Sequence, residues 1–465
     1  MVLPPEVLEL IDSLRREIET LRAENAELRR RLNLDSSNSS KPPSSDGLKK
    51  KPRVLKSLRT RTGKPSGGQR GHGGDTLRQV AEPDAVVEHA AEVCEHCRGP
   101  LPAGSKVGEE KRQVFDLPET PLIVTEHRAA VHDCPACRRR TRAAFPEGVV
   151  SPAQYGERVR ATAVYLNAQQ LVPEERTAQI LQDLFGAAAA CGASVAAWVR
   201  RKAEALEPVW RGIGARVAAA PVRCLDETGF RIAGATRWLH TASTLTHTFY
   251  RAGEPRSAVP AFEGGVVVHD HWRAYYALEN VLHAFCNAHL LRELQAVCEF
   301  DKEPWAEALR ATLLDANEAV QKARAEGASA LPPETVKAFE DRYWAAVREG
   351  LALHRSLPDL DPSKGPKQRK KQRPAHNLLL RFKTFKEATL RFLVDFAVPF
   401  TNNLAEQDLR MMKVKIKISG GFRTQQGAED FASLRSLISS ARKQGLDILR
   451  ALTLDPERLA IALKL

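Results

Sequence analysis

Nowhere in these 465 residues is there a run of ~18 apolar side chains, the length needed to cross a bilayer. The N-terminus also lacks a basic-then-apolar signal pattern. A soluble protein that stays in the cytoplasm, with no membrane partner, is expected. Cysteine is sparse as well. Eight in a chain this long do not make a secreted disulfide scaffold, and a reducing compartment fits them best. Acidic residues are in deficit: Asp and Glu number 57 against 70 Lys and Arg, a net charge of +13. The length excludes one ordinary domain and predicts roughly two to four. A hydrophobic fraction of 43% is enough for sizeable cores.

The basic excess is concentrated. Residues 41–70 hold Lys41, Lys49, Lys50, Lys51, Arg53, Lys56, Arg59, Arg61, Lys64 and Arg70 against the single acid Asp46. So local a patch points to a polyanion, nucleic acid first, with a solubilising linker as the plain alternative. Its surroundings, residues 35–80, are rich in Ser, Pro and Gly and cannot bury enough apolar surface to offset chain entropy. They read as a flexible basic tether.

Ahead of it, Ile11, Ile18, Asn25 and Leu32 share heptad position a, and Leu14, Leu21 and Leu28 share position d. Branched residues at a with Leu at d predict a parallel two-stranded coiled coil over 1–34, with Asn25 fixing register. Glu17 and Glu24 at g would meet Arg22 and Arg29 at e across a homodimer. The alternative is a lone amphipathic helix packed on its own body. With about three heptads, the coil assists dimerisation rather than causing it alone.

Residues 81–148 carry Cys94-x-x-Cys97 and, after a β-rich stretch from Arg112 to Val131, Cys134-x-x-Cys137. Two such knuckles can present four thiolates to one tetrahedral Zn²⁺, the pattern of a zinc ribbon. His96 and His132 read as surface residues beside it. From 150 to 212 the period turns helical: one helix through Val159, Ala163 and Leu166, a second from Glu174 to Leu184, a third from Ser194 to Ala205 with Ser194 as cap. The third bears Arg200, Arg201 and Lys202. That is compatible with a DNA-reading helix-turn-helix, and equally with any three-helix bundle.

After Pro221 the pattern becomes strand-like. The run from Val222 to Asp226 ends on an acid, and further strands run from Trp238 to Thr246 and from Thr248 to Arg251. A second apolar run, Gly264 to Asp270, ends on another acid. A third acid, Glu406, lies on the first turns of a helix opening at Asn402-Asn403, with Arg410 and Lys413 on the same face. Three carboxylates from two strands and a helix suit a pair of hard divalent cations ~4 Å apart, able to act on a phosphodiester. Taken singly, each acid is equally a turn, cap or surface residue.

The local words are more specific. Leu225-Asp226-Glu227-Thr228-Gly229, the stretch from Val268 to Tyr275, and that from Asn402 to Arg410 closely resemble the three acidic motifs of a bacterial transposase family. The family is named after insertion sequence sixty-six. Lys413 to Thr424 continues the third motif, and Cys286-Asn287-Ala288-His289 resembles the family's CxxH element. Ser36 to Asp46 and Gly67 to His72 resemble its N-terminal signatures. The resemblance runs through almost the whole chain in the family's order.

It implies a DDE transposase, with Asp226, Asp270 and Glu406 as the metal-binding triad and Mg²⁺ (or Mn²⁺) as the ion. It implies an RNase H-like α/β core over 218–448, with a helical insertion at about 291–395 and a tail at 449–465. Helical patterns at Trp305 to Glu326, at Pro333 to Leu353 and from about Ala375, with a basic loop from Lys364 to Arg373, agree with such an insertion. Expected partners are double-stranded DNA, both element ends and target, and small accessory proteins of the element. The expected location is the bacterial cytoplasm, on the nucleoid. The rival readings are a non-catalytic DNA-binding regulator and a nuclease that cleaves without joining. Cys286 and His289 sit at i and i+3 on a probable helix. Without a CxxC in the insertion to complete a zinc site, they read as structural.

Overall fold

The computed structural model describes residues 4–35, 38–39, 77–89, 91–102, 104, 106–117, 122–357 and 372–465. They fall into two compact units, Met1–Arg53 with Val124–Leu465 and, by itself, Val54–Ile123. The tether lysines and arginines (Lys49, Lys50, Lys51, Arg53, Arg70) and most of the basic loop before Arg373 lie outside the described residues. Among those described, no helix is long and apolar enough to cross a membrane.

The larger unit opens with α1 (Pro5–Asn33), an unbroken helix with Pro5 in its first turn, where a missing N–H costs nothing. Its a/d residues Leu14, Ile18, Leu21, Leu28 and Leu32 remain 46–76% exposed. Its C-terminal end meets the body of the unit. Arg30 pairs with Asp301 at 3.4 Å, and the Asn38 amide just beyond the helix donates to Glu299 at 3.0 Å.

A two-stranded antiparallel ladder of three residue pairs, β1 (Val131–Asp133) with β2 (Arg140–Arg142), follows. The stretch from Arg112, expected to be β-rich, forms no strand among its described residues until Val131. Val114, Leu117, Ile123 and Val124 are about nine-tenths exposed, so alternation there finds no second strand or core to reward it.

Next come α2 (Glu157–Val164), prolonged by a π-helical turn at Tyr165–Gln169, then α3 (Glu174–Phe185), α4 (Gly192–Ala205) and α5 (Glu207–Ala218). Gly186 ends α3 in the left-handed region at φ 71°. Ser194 does not cap the third of these helices. It lies inside the first turn of α4, its hydroxyl 3.3 Å from the Sγ of Cys191, which holds the cap position.

The sheet is built from β3 (Val222–Ile232), β4 (Ala235–Ser243), β5 (Thr248–Glu254), β6 (Val266–His269) and β7 (Leu282–Phe285). Its order is β5-β4-β3-β6-β7. The first three form an antiparallel meander, and β6 and β7 run parallel to β3. Among the described residues, nine α-helices complete the unit: α6 (Asn287–Ala296), α7 (Pro304–Ala325), α8 (Pro333–Ser356), α9 (Pro374–Thr384), α10 (Lys386–Val394), α11 (Asn403–Ser419), α12 (Gln425–Lys443), α13 (Ile448–Thr453) and α14 (Pro456–Ala462). The expected insertion helices match α7 and α8 within a few residues, and the one expected from about Ala375 is α9.

Both faces of the sheet are covered, which is why β6 reads as a continuous apolar run rather than an alternating one. Val266 and Val268 pack with Phe285 against Leu294, Trp305, Leu309 and Phe382 of the inserted helices. Val267 and Leu225 face the other way, onto Val164, Ile213, Leu434 and Leu437. Two boundaries drawn from sequence therefore dissolve. The helices of 150–212 are not a separate domain but one cover of the sheet. Residues 449–465 are not a tail: Leu452, Leu459 and Leu463 are fully buried in that same core. An amphipathic stripe on a short helix shows that it must be covered, not by what.

A tight passage follows α11. Gly421 runs so close to β3 that a Cβ there would sit 2.5 Å from the Arg231 carbonyl oxygen. The next residue, Phe422, donates to that same carbonyl at 2.9 Å and packs on Phe230 and Phe431. Gly421→Ala is expected to lower unfolding free energy by about 1–3 kcal/mol, the usual cost of overpacking against a rigid neighbour. Urea denaturation of the full chain measures it, and an unchanged midpoint would contradict the packing described.

Candidate active site

Asp226 does not end its strand, as the sequence pattern suggested. β3 continues six residues further, because β4 goes on satisfying its backbone through Asp226↔Thr241 and beyond. What ends beside Asp226 is the parallel neighbour: the β3–β6 pairing stops at Cys224↔Val268. β6 itself stops at His269, so Asp270 follows directly. Both acids therefore occupy the place where the sheet opens between β3 and β6. Asp226 Oδ1 accepts the Glu227 amide and Asp270 Oδ1 accepts the Trp272 amide, each at 2.9 Å.

Glu406 arrives on α11, which the buried Asn402 and the half-buried Asp408 dock. Asn402, 1% exposed, donates its side-chain amide to the Leu225 carbonyl at 2.6 Å, one residue before Asp226. Its backbone N–H points at Cys286 Sγ, 3.2 Å away. Asp408, two residues past Glu406 and so on the opposite side of the helix, accepts from Ser243 at 2.5 Å, Thr248 at 2.9 Å and Lys443 at 2.8 Å. Helix position and rotation are thereby fixed against β3, β4, β5 and α12.

Both aspartates feel the charge of Glu406. Burial first, then the charges of Glu227, Glu406 and Asp270, hold the Asp226 carboxyl well above the usual carboxylate range. Burial likewise pushes Asp270 from its ordinary 3.8 to about 6, with Glu227 and Glu406 adding to the rise and the Trp272 amide and Arg256 opposing it. Such a cluster of buried like charges is stable only with protons or cations on it.

Sequence reasoning assigned no role to Glu227, although it stands within the quoted motif. Its side chain is 3% exposed, takes Arg256 Nε at 3.0 Å and Nη2 at 2.8 Å on one oxygen, and takes the Tyr275 hydroxyl on the other. Arg256 lies against two tryptophan rings, 4.7 Å from Trp238 and 4.3 Å from Trp272. No sequence period links residues 227, 238, 256 and 272, so this neutralising clamp was invisible before folding. Asn402 and Asp408 were likewise quoted without a role.

Cys286 and His289 come to the same place. Cys286 caps α6 directly after β7, His289 follows in the first turn, and both lie beside Glu406. Of the other candidates, Arg410 and Lys413 are exposed on the Glu406 face of α11. On α4, Arg201 is exposed, Arg200 pairs with Glu204 at 2.8 Å, and Lys202 is drawn inward onto Glu157.

A family model described as Transposase IS66 family matches residues 152–430, more than half of the chain. The chain belongs to that family. The IS66 match spans α2 to α5 as well as the sheet and all three acids, in keeping with their single shared core. A second model, the zinc-finger binding domain of transposase IS66, matches 91–138, and a family of unknown function matches 3–78. No curated protein matches the chain.

The zinc-finger match contains all four CxxC cysteines. The two knuckles fall in different units, and each repeats one local geometry. Cys94 N–H donates to Gly99 and Arg98 N–H to Cys94, both at 2.9 Å; Cys134 N–H donates to Arg139 at 2.9 Å and Arg138 N–H to Cys134 at 2.7 Å. Arg98 and Arg138 adopt φ of 59° and 57°. Backbone amides aimed at the first sulfur, from Cys97 and His96 in one knuckle and Cys137 and Ala136 in the other, lower both thiol pKa values. That chemistry fits thiolate ligands of zinc.

The burial of Asp270 carries a stability consequence. Its folded-state pKa lies above its unfolded value, so its charge destabilises the fold above about pH 6, and the cost fades as pH falls through 3.8. Asp270→Asn is expected to stabilise the chain by up to about 3 kcal/mol at pH 7 without added divalent cation. The gain should vanish near pH 4. Paired thermal melts at the two pH values check this, and a destabilised variant at pH 7 would refute the assigned charge repulsion.

Proposed function

We propose that this IS66-family chain is a DDE-type transposase, which cuts and rejoins DNA at the terminal inverted repeats of an insertion sequence using Asp226, Asp270 and Glu406. The observation that carries this reading is the convergence of acids from β3, the end of β6 and α11, close enough that the Glu406 charge adds to the raised proton affinity of both buried aspartates. The sheet supports an RNase H-like core, since a long first strand stands central, with the meander on one side and two parallel strands on the other. The helices α6 to α10 form the insertion between the second and third acids.

An oxygen-only cluster of this charge fits hard Mg²⁺ or Mn²⁺, held by Asp226, Asp270 and Glu406. When bound, such ions supply Lewis-acid stabilisation to the attacking and leaving oxygens of a phosphodiester. The chain's own side chains do the rest. Asn402 and Asp408 hold α11 in place, and the Arg256–Glu227–Tyr275 clamp keeps a fourth acid neutralised beside the triad. Arg410 and Lys413, one and two turns beyond Glu406, are positioned to meet DNA phosphates. Hydrolysis of one strand leaves a 3′-hydroxyl, which attacks a target phosphodiester in line. Catalysis of this kind is mostly positioning and charge neutralisation.

In the N-terminal part of the chain, the CxxC cysteines Cys94, Cys97, Cys134 and Cys137 are ligands of structural Zn²⁺. Arg200 and Arg201 place DNA against α4, with the inward-paired Lys202 left to Glu157, and Lys49, Lys50, Lys51, Arg53 and Arg70 add salt-sensitive phosphate affinity. Pairing of α1 helices through the exposed Leu14–Ile18–Leu21–Leu28 seam makes a homodimer that brings two DNA ends together.

Strand transfer with Mg²⁺ or Mn²⁺ and labelled element ends tests the central claim. Joined products are expected from the wild type and none from Asp270→Asn, with DNA binding retained in both. Cleavage without joining would favour a nuclease. Equal joining by both proteins would remove Asp270 from the mechanism.

A further inference from the structure

The inserted helix α6 brings a soft-ligand pair to an otherwise all-oxygen cluster. The Cys286 sulfur, a His289 ring nitrogen and a Glu406 oxygen all lie within 4.8 Å of one another. His289 Nδ1 is 3.9 Å from Glu406 Oε1, and Cys286 Sγ is 4.0 Å from that same oxygen. The first distance is too long for a hydrogen bond and the second is at the extreme reach of a thiol. They are a few tenths of an ångström wider than the edges of a tetrahedral zinc centre, which are about 3.3–3.6 Å for bonds of ~2.0–2.3 Å. Three ligand atoms facing one another across such gaps leave a space of cation size.

Two further observations point to an occupant. His289 Nδ1 is buried and without a hydrogen-bond partner, a costly state for a ring nitrogen unless something accepts or coordinates it. Cys286 Sγ receives the backbone N–H of Asn402 at 3.2 Å, the kind of second bond that orients and stabilises a ligating sulfur. We propose that Cys286, His289 and Glu406 form a second divalent-cation site, of zinc class, that shares Glu406 with the acidic triad. The set is one thiolate, one imidazole and one carboxylate, with a fourth position left for water or a phosphate oxygen.

The protonation states are compatible with loading. Burial, with Arg292 second, pushes His289 down to about 3, so the imidazole is neutral, as a ligand must be. Burial pushes the Cys286 thiol up to about 12, so without a cation it keeps its proton. Binding releases that proton to solvent and leaves a metal-bound thiolate. Because a carboxylate has two oxygens, Glu406 can serve this site and the triad together. The cation would then fix the orientation of the third acid. That consequence rests on the triad reading above, whereas the site itself does not.

Metal content of the full chain, dialysed against zinc and then against metal-free buffer, tests the site directly. The wild type should retain about two zinc equivalents, one at the CxxC knuckles and one here, while Cys286→Ser, His289→Ala and Glu406→Gln should each retain about one. Asp226→Asn should retain the wild-type content, since it touches only the triad. With Co²⁺ in place of zinc, the difference spectrum of wild type minus Cys286→Ser should show one cysteine-to-cobalt charge-transfer band. His289→Ala guards against a Cys286 variant that fails to fold, and circular dichroism melts verify each protein. Equal zinc in the wild type and all three folded variants would overturn the proposal, as would a featureless cobalt difference spectrum. Zinc counts that fall as expected, in a protein giving no strand transfer, would keep this site and reject the transposition chemistry.

Discussion

The repulsion between carboxylates held at one desolvated sheet edge is the constraint around which the larger unit is organised. Asp226 and Asp270 would separate, or sink their charges in water, if the chain let them. It does not, because each is tied to an element that cannot move independently. β3 is central, paired with β6 up to Cys224 and with β4 from Cys224 onward, β6 lies between β3 and β7, and α11 is bound to the sheet through Asn402 on one side and Asp408 on the other. The cost of the buried charge is offset by packing elsewhere.

That packing explains the chain's length. A mixed sheet whose middle strands are apolar on both faces needs two layers of helix. One layer comes from the segment before the sheet and the last helices of the chain, the other from the insertion between the second and third acids. The insertion does more than cover. Its first helix carries Cys286 and His289 to Glu406, so the element that shields one face also completes the surroundings of the third acid. Arg256 plays a comparable part from a loop, balancing Glu227 while held against two tryptophans.

The N-terminal third obeys different physics. Its described residues bury little apolar surface, and its order is local: a single long helix, and two knuckles that turn backbone amides toward a sulfur. Segments of this kind draw stability from what they bind, a second helix or a metal ion, more than from a core of their own. Their place in a transposase of the IS66 family is consistent with parts that engage partners while the α/β unit holds the chemistry.

Local order was legible in the sequence wherever the period was strong or a residue type was chemically specific. The heptads of α1, the helices from Glu174 and Pro333, the apolar run of β6 and the duplicated CxxC all stood out, as did three acids within recognisable motifs. What the sequence left open was every decision made by contact between distant segments. It could not show that β3 continues past Asp226, because β4 supplies that pairing. It could not show that residues 449–465 are core, because a short helix reveals its apolar stripe but not its cover. Nor could it join Glu227 to Arg256, Asn402 to Leu225, or Cys286 and His289 to Glu406. Periodicity records how a segment meets its surroundings, and the identity of those surroundings is settled only when the sheet closes and both helical layers are laid on it.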